Sequence, residues 1–171
     1  SYAIEERGRH SELAATRAMM YRSPDHFEAL INLLTDQTIA YLKMQVAAGA
    51  QVVQVFDSWA GILPIDLYER YSMGPLKRII EALDGTPVIF FSRGSCLFLE
   101  RIIEAAPAVI SCDWQLPLRE LRARVPDDIV LQGNFDPTLL FAPKKEISRV
   151  VRGELEGLEN IIVNLGHGVL P

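Results

Sequence analysis

Five short apolar runs punctuate the chain: AQVVQVF over 50–56, PVIFF over 87–91, AVISCDW over 108–114, DIVLQGN over 128–134 and NIIVNLG over 160–166. Their hydrophobic residues run together rather than alternate, which is the pattern of a strand buried on both faces. The segments between them, 65–83, 95–105, 115–124 and 144–157, are long enough for helices, and APKKEISRVVRGELEGL has an amphipathic repeat. Upstream, SPDHFEALINLLTDQTIAYLKMQVAAG predicts a long helix. Ser23 would cap it, Pro24 takes the first helical position, Asp25 sits in the first turn and Gly49 stops it. Phe27, Leu30, Ile31, Leu34, Ile39 and Leu42 recur at roughly helical spacing, and SELAATRAMMY predicts a shorter helix before it. Continuous apolar strands joined by helical crossovers imply an α/β fold with a parallel sheet. No linker, repeat or low-complexity segment divides residues 1–171, so they form a single domain.

Polar residues gather where the apolar runs end, as FDSWAG, SRG, CDW, QGNFDP and NLGHG. Parallel α/β folds bind ligands at the carboxyl ends of their strands, so these segments predict one polar rim. Asp57 and Asp136 suit caps or Asx turns, and Asp136 before Pro137 reads as a helix start. Ser58 suits either a turn cap or a ligand contact. Trp59 and Trp114 read as packing groups that seal the rim. Arg93, followed by Gly94, is either a surface cation or an anchor for an anionic ligand. His10 and His26 lie in polar surroundings and read as uninvolved. His167 stands between Gly166 and Gly168, which remove side-chain bulk and leave room for something large to approach the imidazole. It has no His or Cys companion at ligand spacing, so the turn reads as a polar contact and not a metal site.

Composition narrows the classes. The 171 residues are 49% hydrophobic and 23% charged, ordinary for a globular domain. A formal net charge of −5 argues against nucleic-acid binding, and no apolar run approaches the ~20 residues of a membrane span. Cys96 and Cys112 form neither a C-x-x-C pair nor a disulfide framework, which points to a reducing, cytoplasmic setting. The chain opens in mid-pattern with SYAIEERGRH and closes on a strand without a following helix, so it is expected to be part of a longer protein.

Taken in order and spacing, GAQVVQVFDSWAG, CDW, VLQGNFDP and NLGHG resemble the uroporphyrinogen decarboxylase family along the whole chain. The resemblance implies a (β/α)8 TIM-barrel type of fold, with this chain a partial barrel of about five β/α units. It also implies three substrate contacts. Tyr2 of SYAIEE matches a tyrosine that touches substrate, Ser58 a residue that hydrogen-bonds a substrate carboxylate, and His167 a histidine that reaches a substrate side chain. Arg93 joins them as the anion anchor suggested by its position. The family's glycine-rich run after the glutamate is replaced here by EERGRHSE. Its arginine-rich loop and central aspartate precede residue 1, so no catalytic residue is expected within the chain.

The reaction so implied removes the four acetate carboxylates of uroporphyrinogen III, giving coproporphyrinogen III in porphyrin and heme biosynthesis. A protonated pyrrole serves as its own electron sink, so no cofactor is expected, and the sequence has no Walker, Rossmann or zinc motif. A homodimer is implied for the parent protein, and little activity for these residues alone. Three readings compete. A zinc-dependent corrinoid or cobamide methyltransferase of the same superfamily would need a His-x-Cys pair where this chain has FFSRG. A non-catalytic tetrapyrrole-binding module would bind without releasing CO2. An unrelated phosphate-binding barrel would need a glycine-rich turn feeding a helix.

Overall fold

The computed structural model describes residues 4–5 and 12–169. Helix α1 (Ala14–Arg22) and helix α2 (Pro24–Ala47) precede strand β1 (Val53–Phe56). Helix α3 (Ile65–Tyr68) then runs through a π turn (Glu69–Met73) into α4 (Gly74–Ala82). Strand β2 (Val88–Phe91), α5 (Leu99–Glu104), β3 (Val109–Ser111), α6 (Leu118–Arg124), β4 (Val130–Phe135), α7 (Lys144–Leu155) and β5 (Ile161–Leu165) complete the alternation. All five strands pair in parallel in the order β1-β2-β3-β4-β5, with Val53 opposite Val88, Ile89 opposite Val109, Ile110 opposite Leu131 and Leu131 opposite Ile161. Every predicted strand is present, within its predicted range except β4, which runs one residue further, to Phe135.

Side chains alternate across the strands and sort into two faces. Val53, Val88, Phe90, Ile110 and Leu131 point outward and pack with Leu76 and Ile79 of α4, Leu99 and Ile102 of α5 and Leu118 and Leu121 of α6. Gln54, Ser111 and Gln132 point the other way. The Gln132 amide donates to Ser111 Oγ at 3.1 Å and to Gln54 Oε1 at 3.4 Å, which joins β4 to β1 across two intervening strands. In a flat sheet those strands would lie about 14 Å apart, beyond the reach of two side chains standing off the surface. The sheet is therefore curled into a trough with its helices outside. It is an open, partial (β/α)8 barrel.

Two details depart from the sequence reading. Ser23 does precede α2, with Pro24 at the helix start, but its side chain makes no capping bond. Strand β5 is not buried on both faces: Ile162 is 40% and Val163 56% exposed, because β5 is an edge strand and α7 buries none of its residues. The π turn has a packing reason. It buries the consecutive residues Tyr71, Ser72 and Met73, so one helix serves two clusters. Tyr71 joins Leu67, Met20 and Phe27 beneath α1 and α2, while Met73 joins the main core.

Helix α1 is preceded by Leu13, which has a left-handed backbone (φ 46°) and no side-chain acceptor for the exposed helical N–H groups. The buried Glu5 carboxylate fills that role, accepting the Thr16 N–H at 2.8 Å. At the other end of the fold, Arg122 ties α6 to β4 by donating to the carbonyls of Val125 at 2.7 Å and Ile129 at 2.8 Å. Replacing Glu5 with Ala is expected to cost about 1 kcal/mol of stability, the usual worth of a helix cap. Thermal unfolding followed by circular dichroism measures it; an unchanged midpoint would remove Glu5 from this role.

Candidate active site

Because the strands are parallel, the five motif loops emerge at one end of the trough. Alternation along β1 carries past its end: Gln54, Phe56 and Ser58 face the inside, and Asp57 faces the helices. On the inside lies a cavity of about 370 Å3, whose lining includes Gln54, Phe56, Ser58, Phe91, Ser111, Asn164 and His167. Ser58 of the first loop and His167 of the last thus share one cavity.

His167 is exposed at the rim, with its ring edge-on to Phe91 (6.3 Å between centroids) and to Trp114 (6.1 Å). The Arg93 guanidinium lies over Trp114, 5.9 Å from the ring centre. Arg93 and His167 therefore both stand against Trp114 at the rim. Tyr2 lies outside the described residues.

The loops are held by a buried carboxylate. Asp113 of CDW is 1% exposed, and its Oδ2 accepts the Gly94 N–H at 2.7 Å, fixing the loop that carries Arg93. Its Oδ1 faces the Cys96 thiol at 3.7 Å. Burial, and then the neighbouring Asp113 charge, push that thiol up to about 11, so Cys96 stays a neutral packing group. Asn134 of QGNFDP donates to the carbonyls of Asp113 at 2.8 Å and Leu116 at 2.6 Å, locking the third loop to the fourth strand. Asp136 caps the turn Pro137–Phe141 by accepting the Thr138 N–H at 2.8 Å, the structural role its sequence position indicates.

The glycines divide the work differently from the sequence reading. A Cβ on Gly166 would stand 2.7 Å from Trp114 N and 3.0 Å from Asp113 C, so this glycine makes room for the neighbouring loop and not for a ligand. Gly168 meets nothing within 4 Å, which leaves the far side of His167 open. Gly61 of FDSWAG lies against the Arg93 carbonyl, 1.8 Å from where its Cβ would be.

Asp57 makes the local turn contact that its position suggests, with the Ala60 backbone, and a second bond across the fold. Its Oδ2 accepts the Ser72 hydroxyl at 2.7 Å, from the π turn behind the rim. Burial raises its pKa above the usual carboxylate range, and the Ser72 bond offsets part of that. The sequence reading also missed Gln54, Ser111 and Asn164. Gln54 and Ser111 lie inside apolar runs, Asn164 heads the NLGHG segment, and only the period-2 alternation carried through Ser58 would have placed Gln54 on the same wall. Among the described residues, no group of three or more His, Cys, Asp or Glu side chains is arranged to hold a metal ion. No described helix is long and apolar enough to cross a membrane.

All of residues 1–171 match the family model for uroporphyrinogen decarboxylase. The chain is 41% identical over 175 residues to a uroporphyrinogen decarboxylase of Citrifermentans bemidjiense, covering 99% of this chain and 51% of that protein. It is 38% identical over 179 residues to one of Francisella tularensis subsp. novicida, covering 100% of this chain and 52% of the relative. It therefore spans about half the length of the curated relatives it matches. Among solved structures, a methyltransferase from Methanosarcina mazei superposes with a TM-score of 0.83 over 92% of this chain and 48% of the other, at 18% identity. That likeness concerns the fold.

The two glycines beside His167 should respond oppositely to a methyl group. Gly166→Ala is expected to lose about 1–3 kcal/mol by forcing the Asp113–Trp114 backbone aside. Gly168→Ala should stay within about 0.5 kcal/mol of wild type. Denaturant unfolding of the pair decides it, and equal losses would contradict the packing described.

Proposed function

The chain belongs to the uroporphyrinogen decarboxylase family, and on that premise we propose that it forms the carboxylate-reading wall of a site that converts uroporphyrinogen to coproporphyrinogen. One observation carries the reading: Ser58 and His167 line the same 370 Å3 cavity at the carboxyl ends of the strands. The substrate is a flat, puckered macrocycle fringed by carboxylates, which needs an apolar wall with hydrogen-bond donors at its edge. Phe56 and Phe91 supply apolar wall, and Ser58 and His167 stand beside them. In this reading the Ser58 hydroxyl and a His167 ring N–H each donate to a substrate carboxylate. Arg93, held over Trp114, pairs with a further one. Tyr2 is a fourth substrate contact on the strength of the family resemblance.

The chemistry needs little from a cofactor. Protonation of a pyrrole carbon makes the ring an electron-poor cation. The pair left when the acetate C–C bond breaks flows into that ring, CO2 departs, the exocyclic carbon takes up a proton, and the ring carbon gives back the proton it gained, which restores the pyrrole. The balance is one proton consumed and one CO2 released per acetate. Holding the ring rigidly and placing a carboxylate against its positive charge are the protein's contributions. The central aspartate and arginine loop that do this in the family are assigned to the N-terminal part of the full-length protein, and orientation of the fringe to this chain. The full-length protein is proposed to act as a homodimer in the cytoplasm, in porphyrin biosynthesis.

In the full-length protein, Ser58→Ala and His167→Ala are each expected to weaken substrate interaction about 10- to 100-fold, the worth of a hydrogen bond to a charged group. Coproporphyrinogen formation under anaerobic conditions gives the values. Residues 1–171 alone are expected to release no CO2. Wild-type kinetics in both variants would overturn the assignment of the wall, and turnover by the chain alone would overturn the division of labour.

A further inference from the structure

Arg93 and His167 come from loops that follow different strands, β2 and β5, yet both rest on one indole. The Arg93 guanidinium stands 5.9 Å from the centre of Trp114, within the range of a cation–π contact. The His167 imidazole meets the same ring edge-on at 6.1 Å and meets Phe91 edge-on at 6.3 Å. A long exposed side chain otherwise samples many rotamers, and a planar aromatic surface restricts those of a guanidinium.

The main chain beneath them is anchored at the same place. Asp113 Oδ2 accepts the N–H of Gly94, the residue after Arg93, at 2.7 Å. Gly61 lies against the Arg93 carbonyl from another loop. Gly166, the residue before His167, packs so closely that a Cβ there would stand 2.7 Å from Trp114 N. Its N–H donates to the Phe135 carbonyl at 2.8 Å. Both loops are therefore seated on the dipeptide Asp113–Trp114, and both side chains on its indole. Strands β2 and β3, which Arg93 and Trp114 follow, have a neighbouring strand on each side within this chain.

Neither side chain is committed to another protein group. Among the described residues, no carboxylate pairs with Arg93 and no hydrogen bond holds the His167 ring. His167 is common to two arrangements: the cavity it shares with Ser58, and the indole it shares with Arg93.

We propose that Trp114 is a positioning residue that holds Arg93 and His167 as one clamp, whose two arms take the two carboxylates of a single pyrrole. The clamp rests on the decarboxylation reading and deepens it. Each pyrrole of uroporphyrinogen bears an acetate and a propionate on adjacent carbons, whereas each pyrrole of coproporphyrinogen keeps only the propionate. Two donors fixed against one ring suit two carboxylates fixed side by side, because pairing then costs little further side-chain freedom. A guanidinium on the departing carboxylate would hold its charge in place and oppose loss of CO2, so the clamp reads a pyrrole other than the one reacting. An unprocessed pyrrole is gripped by two arms and a processed one by a single arm. The clamp thereby sorts substrate from product.

Equilibrium binding of uroporphyrin and coproporphyrin, the fluorescent oxidised forms of substrate and product, to the full-length protein tests this without turnover. Wild type should hold uroporphyrin more tightly. Arg93→Gln should reduce that preference about 10-fold, the worth of one hydrogen bond between charged groups. Trp114→Leu should do nearly the same although both arms remain, and Trp114→Phe, which keeps an aromatic face, should recover most of the preference. Combining Arg93→Gln with Trp114→Leu should reduce it no further than either alone. With uroporphyrinogen, Trp114→Leu should raise KM more than it lowers kcat. A merely structural role would instead lower the melting temperature and weaken both porphyrins equally. If Trp114→Leu does not fold, Arg93→Gln and His167→Gln decide, since either should abolish the preference and the pair should do no more. No preference in wild type, equal weakening of both porphyrins, or additive losses would each overturn the proposal. If the full-length protein binds uroporphyrin and releases no CO2, the decarboxylation reading fails, while the preference still decides the clamp.

Discussion

The rim depends on the buried carboxylate of Asp113 and on the bare backbone around it. The carboxylate takes the Gly94 N–H, the same residue's carbonyl takes the Asn134 amide, and Gly166 lies against its main chain. Gly61 presses on the carbonyl of Arg93 from the other side. Four loops and the fourth strand are thereby brought to one small region where neither of these two glycine positions has room for a methyl group. An anion buried this deeply is tolerable because a backbone donor meets it directly. The positions of Arg93, Trp114 and His167 follow from that packing, since each is joined to it by one or two residues of main chain.

Much of this was legible in the amino-acid sequence. The five apolar runs identify the strands because a parallel sheet demands continuous hydrophobic segments, and Pro24 and Gly49 mark the ends of the long helix through their restricted and permissive backbones. The joint approach of Ser58 and His167 follows from the rule that parallel strands collect their loops at one end. What escaped was whatever depends on distance between non-neighbours. Gly166 looked like clearance for a ligand because sequence cannot show that Trp114 comes within 3 Å of where its Cβ would be. Asp57 read only as a turn residue because its second partner, Ser72, lies on a helix 15 residues later. Gln132 heads the polar segment QGNFDP, but it is curvature of the sheet that brings it to Gln54.

The two faces of β1 divide two kinds of demand. Toward the helices, Val53 and Val55 belong to the packed core and contribute to stability. At the end of the same strand, Asp57 is placed where burial opposes its charge. Local choices that oppose stability tend to mark functional positions, since packing alone would favour a neutral side chain there. Cys96 and Cys112 illustrate the contrasting case: both thiols are shifted upward by burial and lie within or against the main core, which keeps them unreactive.

The outermost unit has a weaker grip on the fold than the others. Strand β5 leaves three successive residues exposed, and α7 covers it without burying any side chain of its own. Its attachment is the ladder to β4 and the seat of Gly166 against the third loop. Backbone amides of Ile161–Leu165 will accordingly trade hydrogen for deuterium sooner than those of β2 and β3, through local opening well below the cost of global unfolding. The imidazole at the rim thus rides on a strand less buried than the central ones, and any molecule that engages it will slow that exchange by ordering the strand beneath.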